Sequence, residues 1–281
     1  MTPFPRIVFG SGKLASHLMD ANTLCIPRVE CDISSIDSVR RKIHSLSTKP
    51  TTFINCAAKT NLEYCEDNKS SAYMTNTLGV INLLHLCAEY GIKFVHISSG
   101  CLFDGNSTVS TEESQPTPAA WYTHTKTWAD DYIKNYGYNN YLILRPRQMI
   151  SAILHPTNMI TKFCNYEQIF AHKEQNSITC VEDFCDMLAH LVKIDATGIF
   201  NCCNEGTLTP YDIAVGIKRH VKPSLKVEEA TYEHTLALQP NRRVNTILSN
   251  EKLKSTGYNP RHCTEALEWC LKTYFTNLTN R

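Results

Sequence analysis

The chain has 281 residues, 42% of them apolar and 20% charged, with a formal net charge of +1. That length accommodates one large domain or two packed lobes, and the near-zero charge excludes a global field that would recruit nucleic acid or an anionic membrane. The opening MTPFPRIVFG has too short an apolar run for a signal-peptide core, and no later stretch approaches the roughly 18 apolar residues of a membrane span; a cytoplasmic protein with no membrane or nucleic-acid partner is expected.

The first β-branched and apolar run, Arg6–Phe9, reads as a strand that closes on FGSGKLA, Phe9 to Ala15. Gly10 permits a tight turn, Gly12 lets the backbone approach a pyrophosphate, and Ala15 is small enough for close helix–strand packing. The helix that follows would present free N–H groups to phosphate. Alone, a GxGxxA is a weak signal; its place directly after the first strand gives it weight. A second strand, Thr23–Ile26, runs into Pro27 and Arg28 with no acid to hold a ribose 2′-OH. Arg28 is read as a ligand for the 2′-phosphate of NADP, against the alternative of a solvated loop residue, and Asp32 and Ile33 as the adenine edge. NADPH is the expected cofactor and NADH the second choice.

Helical patterns at Ile36–Leu46 and Ser71–Tyr90 flank a third strand, Thr52–Ala57, and a fourth, Lys93–Ile97, ends in HISSGCLFDG. The fourth strand delivers Ser98, Ser99 and Cys101 to the carboxyl edge of the sheet. Some 20 residues on, YTHTK lies in a helix over Ala119–Tyr136 and sets Tyr122 and Lys126 on one face, one turn apart. A nearby ammonium favours the tyrosinate, so the Tyr122 phenol is expected to move down from its ordinary pKa of about 10 towards working pH. Tyr122 would then protonate a carbonyl oxygen as hydride reaches its carbon, Ser99 would donate to the same oxygen, and Lys126 would also hold the nicotinamide ribose. A strand at Tyr141–Leu144, a helix at Val181–Val192 and a strand at Gly198–Cys202 continue the alternation.

Strand–helix alternation over 200 residues predicts an α/β fold with a Rossmann-like, doubly wound parallel sheet and a smaller C-terminal α/β lobe. The dinucleotide domain is expected over 1–147, with about 179–203 returning to it, and the smaller lobe from about 148–178 and 204–281. The 13 cysteines include no CxxC pair. An odd count without a secretory signal implies reduced thiols, mostly small buried apolar residues, and no metal site.

The motifs FGSGKLA, FINCAAKTN, Asn76 in TNTLGVINLL, HISSGCLFDG, YTHTK and LRPR together resemble the extended short-chain dehydrogenase/reductases, in order and over nearly the whole chain. Within that superfamily the chain looks like the dTDP-4-dehydrorhamnose reductase branch. It is most similar there to the bifunctional UDP-4-keto-6-deoxyglucose 3,5-epimerase/4-reductases, the nucleotide-rhamnose synthases. The finer likeness rests on SGCLFD and on RPRQMISAILHPTNMITKFCNYEQI, which sets Lys162 where the family has its second epimerisation residue.

The resemblance implies NADPH-dependent 3,5-epimerisation and 4-keto reduction of a nucleotide 4-keto-6-deoxyhexose, giving UDP-L-rhamnose or dTDP-L-rhamnose. Ser99, Tyr122 and Lys126 would carry reduction. Cys101 and a desolvated Lys162 would exchange the C3 and C5 protons, with acid and base roles left open. Cofactor contacts are implied for Gly10, Ser11, Gly12, Lys13 and Leu14, for Cys56, Ala57, Ala58 and Lys59, and for Asn76, Tyr122, Lys126 and Arg145. Substrate contacts are implied for Thr60, Cys101, Phe103, Arg147, Asn158, Lys162 and Arg242. Blander roles stay open: Cys101 as a buried thiol, Lys162 as a solvated helix residue, Asn76 as packing, Arg145 or Arg147 paired with an acid. The implied partners are a nucleotide sugar and a second copy of the chain in a homodimer. Alternatives are a 4-reductase without epimerase activity, an epimerase-reductase like GDP-fucose synthase, and a non-catalytic NADP-binding regulatory subunit. The chain departs from the family pattern in its glycine loop, one residue short, in Gln148-Met149 where an apolar-Pro pair is usual, and in a shorter segment before YTHTK.

Overall fold

The computed structural model of the chain describes residues 6–105, 108–238 and 243–280. In order, the elements are β1 (Arg6–Phe9), α1 (Lys13–His17), β2 (Thr23–Ile26), α2 (Ile36–His44), β3 (Thr52–Asn55), α3 (Leu62–Asp67) and α4 (Lys69–Tyr73). A π-helical turn, Met74–Leu78, leads into α5 (Gly79–Tyr90), followed by β4 (Lys93–Ile97), β5 (Val109–Ser110), α6 (Trp121–Asn135) and β6 (Tyr141–Arg145). Then come β7 (Met149–Ile150), α7 (Met159–Cys164), β8 (Gln168–Ala171), β9 (Thr179–Cys180), α8 (Val181–Lys193) and β10 (Gly198–Asn201). The chain ends with α9 (Pro210–His220), β11 (Lys226–Glu229), α10 (Tyr232–Ala237), β12 (Ile247–Leu248), α11 (Glu251–Ser255) and α12 (Cys263–Thr279).

Six strands form one sheet in the order β10-β6-β4-β3-β1-β2. Pairing is parallel through β2, β1, β3, β4 and β6, with Ile7 opposite Leu24 and Phe53, and Val95 opposite Ile54 and Leu142. β3 and β4 are buried at every position, as a sheet covered by helices on both faces requires, which is why they read as unbroken runs rather than alternations. From β1 the chain steps outward to β2 and returns to β3 on the other side. The carboxyl ends of β1 and β3 therefore flank the switch point where such sheets bind ligands. Val39 and Ile43 of α2, Leu83, Leu84 and Leu86 of α5, and Ala129 and Ile133 of α6 pack with Ile7, Phe9, Phe53 and Phe94 into one core.

The expected α/β sheet is present with all six strands, and two local readings change. The third strand stops at Asn55, whose Oδ1 turns to accept the Ala57 N–H (3.1 Å) and so ends the ladder. Ser71–Tyr90 is not one regular helix, because the π-helical turn separates α4 from α5.

The chain divides into two compact units of nearly equal length, rather than a large and a small one. Unit 1 comprises 1–102, 116–145 and 193–200; unit 2 comprises 103–115, 146–192 and 201–281. Thus 103–115 and nearly all of α8 cluster with unit 2, and only the α8–β10 segment returns to unit 1. In unit 2, β8 pairs with β11, β5 with β12 and β7 with β9, all parallel. Its core joins Ile150, Ile160, Ile178, Ile213, Ile217, Leu267 and Leu271.

Among the described residues no helix is long and apolar enough to cross a membrane. None of the 13 cysteines is in a disulfide, and eight are buried. Cys180, Glu182 and Cys270 form a group whose donor atoms lie within 4.8 Å of one another. A fixed cation already borders that group, with Arg261 Nη2 3.6 Å from Cys180 Sγ.

Candidate active site

The turn after β1 is built around Gly10, whose φ of +119° only glycine adopts readily. A Cβ there would come within 3.1 Å of Ala57 N and Cys56 C, so the loops after β1 and β3 touch backbone to backbone. The Cys56 N–H to Phe9 O bond (2.9 Å) and the Gly10 N–H to Ile26 O bond (3.0 Å) lock this arrangement. Gly12 is the N-cap of α1, with no side chain capping the helix and nothing within 4 Å of where a Cβ would stand. Open space over an uncapped helix start, with Ser11 exposed and Leu14 half-buried beside it, fits a dinucleotide pyrophosphate. Lys13 is buried, 9% exposed.

Arg28, expected to meet a 2′-phosphate, is exposed and donates through Nε (3.2 Å) and Nη2 (3.1 Å) to Asp32 Oδ2. Asp32 Oδ1 accepts from Ser34 N and Oγ. Partial burial works against the Asp32 carboxylate, yet the bonds from Ser34 and Arg28 outweigh it and hold its pKa below the usual value. Both residues thus satisfy each other at the carboxyl side of β2. The Ile33 side chain lies in the core, where Gly79 makes room for it: a Cβ at Gly79 would sit 2.6 Å from Ile33 Cγ1.

The residues expected to carry reduction converge where β4 meets α6. Glu66 Oε1 accepts the Trp121 N–H (2.6 Å), and Thr123 Oγ1 accepts the Ala120 N–H (3.0 Å), fixing the first turn of α6. Tyr122, Lys126 and Asp130 follow at four-residue spacing, all buried. Ser99 Oγ accepts the Cys101 N–H (3.1 Å), and its hydroxyl also hydrogen-bonds Tyr122. Lys126 Nζ donates to Ile97 O (2.7 Å) at the end of β4 and lies 3.4 Å from His96 Nε2.

The expected downward shift of Tyr122 does not occur. Burial raises its pKa, the neighbouring Cys101 adds to the rise, and the Ser99 hydrogen bond offsets only part of it. Proximity of the ammonium is overridden because the phenol is 9% exposed and a phenolate there would be poorly solvated. Burial lowers Lys126 to about 8, against a supporting attraction from Asp130 and then Cys56.

Two expected cofactor contacts have their polar atoms committed elsewhere. Asn76, fully buried in the π-helical turn, accepts the Lys59 N–H at Oδ1 (2.7 Å) and donates from Nδ2 to Lys59 O (2.9 Å) and Thr125 Oγ1 (3.1 Å). It ties the loop after β3 to α6, which is the packing role. Arg145 is 2% exposed and pairs with Asp130 Oδ2 through Nε and Nη2, both at 3.1 Å. The pairing with an acid is therefore the one observed. Ala58 and Lys59 are half-buried in that loop, with Lys59 Nζ 5.1 Å from the Tyr64 ring centre, and Thr60 is exposed.

In unit 2, Phe103 is buried and its carbonyl accepts from Thr246 Oγ1 (2.9 Å). The Arg147 N–H bonds Thr179 Oγ1 (2.9 Å), and its guanidinium donates to the Val244 carbonyl. Gln148 stands at φ +43°, a left-handed conformation uncommon for a residue with a side chain. Asn158 Nδ2 donates to Ser151 O (2.7 Å) and Ile153 O (2.8 Å). Lys162 is exposed on α7 rather than desolvated. Arg242 lies outside the described residues.

Three buried polar residues at the site were not anticipated: Asn55, His96 and Asp130. Asp130 falls four residues after Lys126, a spacing that signals a shared helix face. His96 and Asn55 carry no such signal, being single polar residues within strands.

Among solved structures, the chain is similar to a dTDP-4-dehydrorhamnose reductase from Bacillus anthracis in complex with NADP (21% identity, TM-score 0.85, covering 95% of this chain and 98% of that one). It is also similar to the L780 UDP-rhamnose synthase of Acanthamoeba polyphaga mimivirus (21%, TM-score 0.83, 96% and 100%). In sequence it is 29% identical over 221 residues to a bifunctional dTDP-4-dehydrorhamnose 3,5-epimerase/dTDP-4-dehydrorhamnose reductase of Arabidopsis thaliana, covering 74% of this chain and 72% of that protein. A trifunctional plant enzyme with 4,6-dehydratase, 3,5-epimerase and reductase activities matches at 28% identity over 74% of this chain, but the match spans only 32% of that protein. The model of the RmlD substrate binding domain matches residues 10–276, nearly the whole of the sequence from the glycine turn to the last helix. The chain belongs to the RmlD substrate binding domain family.

Proposed function

We propose that the protein is an NADPH-dependent reductase of a nucleotide-linked 4-keto-6-deoxyhexose, and that it also epimerises C3 and C5, giving UDP-L-rhamnose or dTDP-L-rhamnose. The observation that carries the reductase reading is the convergence of Ser99, Tyr122 and Lys126, buried together beside a glycine turn open to a pyrophosphate. NADPH, when bound, supplies the hydride that reduces C4. Gly10, Gly12 and the start of α1 would hold its pyrophosphate, and Arg28, released from Asp32, its 2′-phosphate. Unit 1 is thus assigned the cofactor and unit 2 the nucleotide sugar.

The residues of the chain supply the proton. Tyr122 keeps its phenolic hydrogen at neutral pH and delivers it to the C4 oxygen, while the Ser99 hydroxyl hydrogen-bonds the same oxygen. Lys126, one helical turn on from Tyr122, provides a positive charge as negative charge builds on the phenol. For epimerisation, protons α to the ketone are acidified, and Cys101 and Lys162 are the residues assigned to exchange them, on the likeness of their sequence stretches to the epimerase-reductases. The relatives named for both activities support this finer reading.

The test is product analysis by NMR after incubation with UDP-4-keto-6-deoxyglucose and NADPH in deuterated water. UDP-rhamnose labelled at C3 and C5 is expected, with Cys101→Ala and Lys162→Ala losing label while still reducing a pre-inverted 4-keto sugar. Reduction without label would leave a 4-reductase alone.

A further inference from the structure

Behind Lys126 lies a closed set of polar groups that the reduction itself does not use. Asn55 Oδ1 accepts the Ala57 N–H (3.1 Å), so the atom it turns to His96 Nδ1, at 3.2 Å, is its Nδ2 donor. His96 Nδ1 is therefore the acceptor, and the proton of the neutral ring sits on Nε2. His96 is fully buried, and burial first, then Lys126, holds its pKa well below the usual value, so the ring stays neutral. Its Nε2–H faces two groups, Lys126 Nζ at 3.4 Å and Asp130 Oδ1 at 4.0 Å. Asp130 is pinned through Oδ2 by Arg145; burial raises its pKa, and Arg145, the neighbouring Ser98 hydroxyl and Lys126 work against that rise and favour the carboxylate.

We propose that Asp130, anchored by Arg145 and facing the His96 N–H, is a positioning residue that keeps Lys126 an ammonium in the dry space beside Tyr122. The proposal deepens the reductase reading and rests on it for the rate measurement alone. Burial favours the neutral amine of Lys126, and that amine has a waiting partner: its lone pair can accept the His96 Nε2–H. Without a carboxylate nearby, the neutral state would be hydrogen-bonded and the positive charge lost. The Asp130 carboxylate reverses this preference, because the charged form is the one it attracts. The other groups around Lys126 do not replace it. Tyr122 and Ser99 are neutral, Cys56 and Cys101 are thiols at strand ends, and Arg145 carries the wrong sign.

The measurement is an NMR titration of lysine ε-carbon and nitrogen resonances in the cofactor-free protein, with Lys126 identified by its absence in Lys126→Met. Asp130→Asn alone would take the buried carboxylate away from Arg145, so the decisive variant is Asp130→Asn with Arg145→Gln, in which neither charge remains, read against Arg145→Gln alone. The wild-type Lys126 midpoint should lie at about 8. In the double variant it should fall by about 1 unit or more below that of Arg145→Gln, the size expected for losing a nearby opposite charge, and Asp130→Glu should keep it near wild type. In the rate profile with NADPH and nucleotide sugar, the alkaline limb of kcat should move down by the same amount. A double variant that titrates no lower than Arg145→Gln overturns the proposal, whatever the enzyme does with sugars. A shifted midpoint with an unmoved alkaline limb overturns the link to Tyr122 chemistry. If the wild type reduces no nucleotide sugar, the reductase reading fails and the midpoint comparison still decides whether Asp130 holds the charge.

Discussion

Tyr122 sits at the start of α6 with the Ser99 hydroxyl as its partner, and burial keeps its phenol protonated across the neutral range. A proton donor must carry its proton before the carbonyl oxygen develops charge, so a raised pKa suits the task. Tyr122→Phe should lower kcat by about 10²–10⁴-fold with little change in stability, the range for loss of a general acid; steady-state NADPH oxidation together with urea unfolding separates the two. Lys126 shows the opposite cost. Its ordinary value of 10.5 falls to about 8 in the folded chain. Between those values the folded protein binds fewer protons than the unfolded one, so stability rises with pH across that window. Below about 8 the buried ammonium costs on the order of 3 kcal/mol. Lys126→Met should therefore unfold at equal or higher urea concentration than wild type at pH 7 while losing reduction. A marked loss of stability in that variant would contradict the reading.

At the scale of elements, the contact between the loops after β1 and β3 makes Gly10 and Gly12 a discriminating pair. Gly10→Ala forces a Cβ towards Ala57 N at φ +119° and should destabilise by about 1–3 kcal/mol, the cost of strained backbone. Gly12→Ala meets nothing within 4 Å and should fold as wild type, so a rise in its KM for NADPH would report the cofactor and not the fold. Isothermal titration with NADPH beside thermal melts reads both. Strand positions were legible because β1, β3, β4 and β6 are short apolar runs bounded by turns, a pattern that burial on both faces imposes. The YTHTK motif, Ser99 and the glycine turn were legible because their members are close in sequence or stand at element ends. Asn76 was not: its partners, Lys59 and Thr125, lie 17 and 49 residues away, and no local spacing points to them. Arg28 is a similar case, since an acid four residues on in a turn gives no sign of which partner the guanidinium takes.

Across the whole molecule, unit 1 is organised around a buried ion pair as well as an apolar core. Asp130→Ala removes the carboxylate from a buried ion pair and should cost about 3–5 kcal/mol, whereas neutralising both partners should cost far less; urea unfolding of the two variants provides the comparison. The division into units was only partly readable, because 103–115 and α8 join unit 2 through contacts distant in sequence, such as Thr246 with Phe103. The central claim, that this assembly reduces a nucleotide-linked 4-keto sugar, is tested most directly by NADPH absorbance during incubation with UDP- and dTDP-4-keto-6-deoxyhexoses of both C3/C5 configurations. Stoichiometric oxidation of NADPH with at least one of them, lost in Tyr122→Phe, is the predicted result. No oxidation with any of them, by folded protein that binds NADPH, would contradict it and leave a cofactor-binding protein without reductase activity.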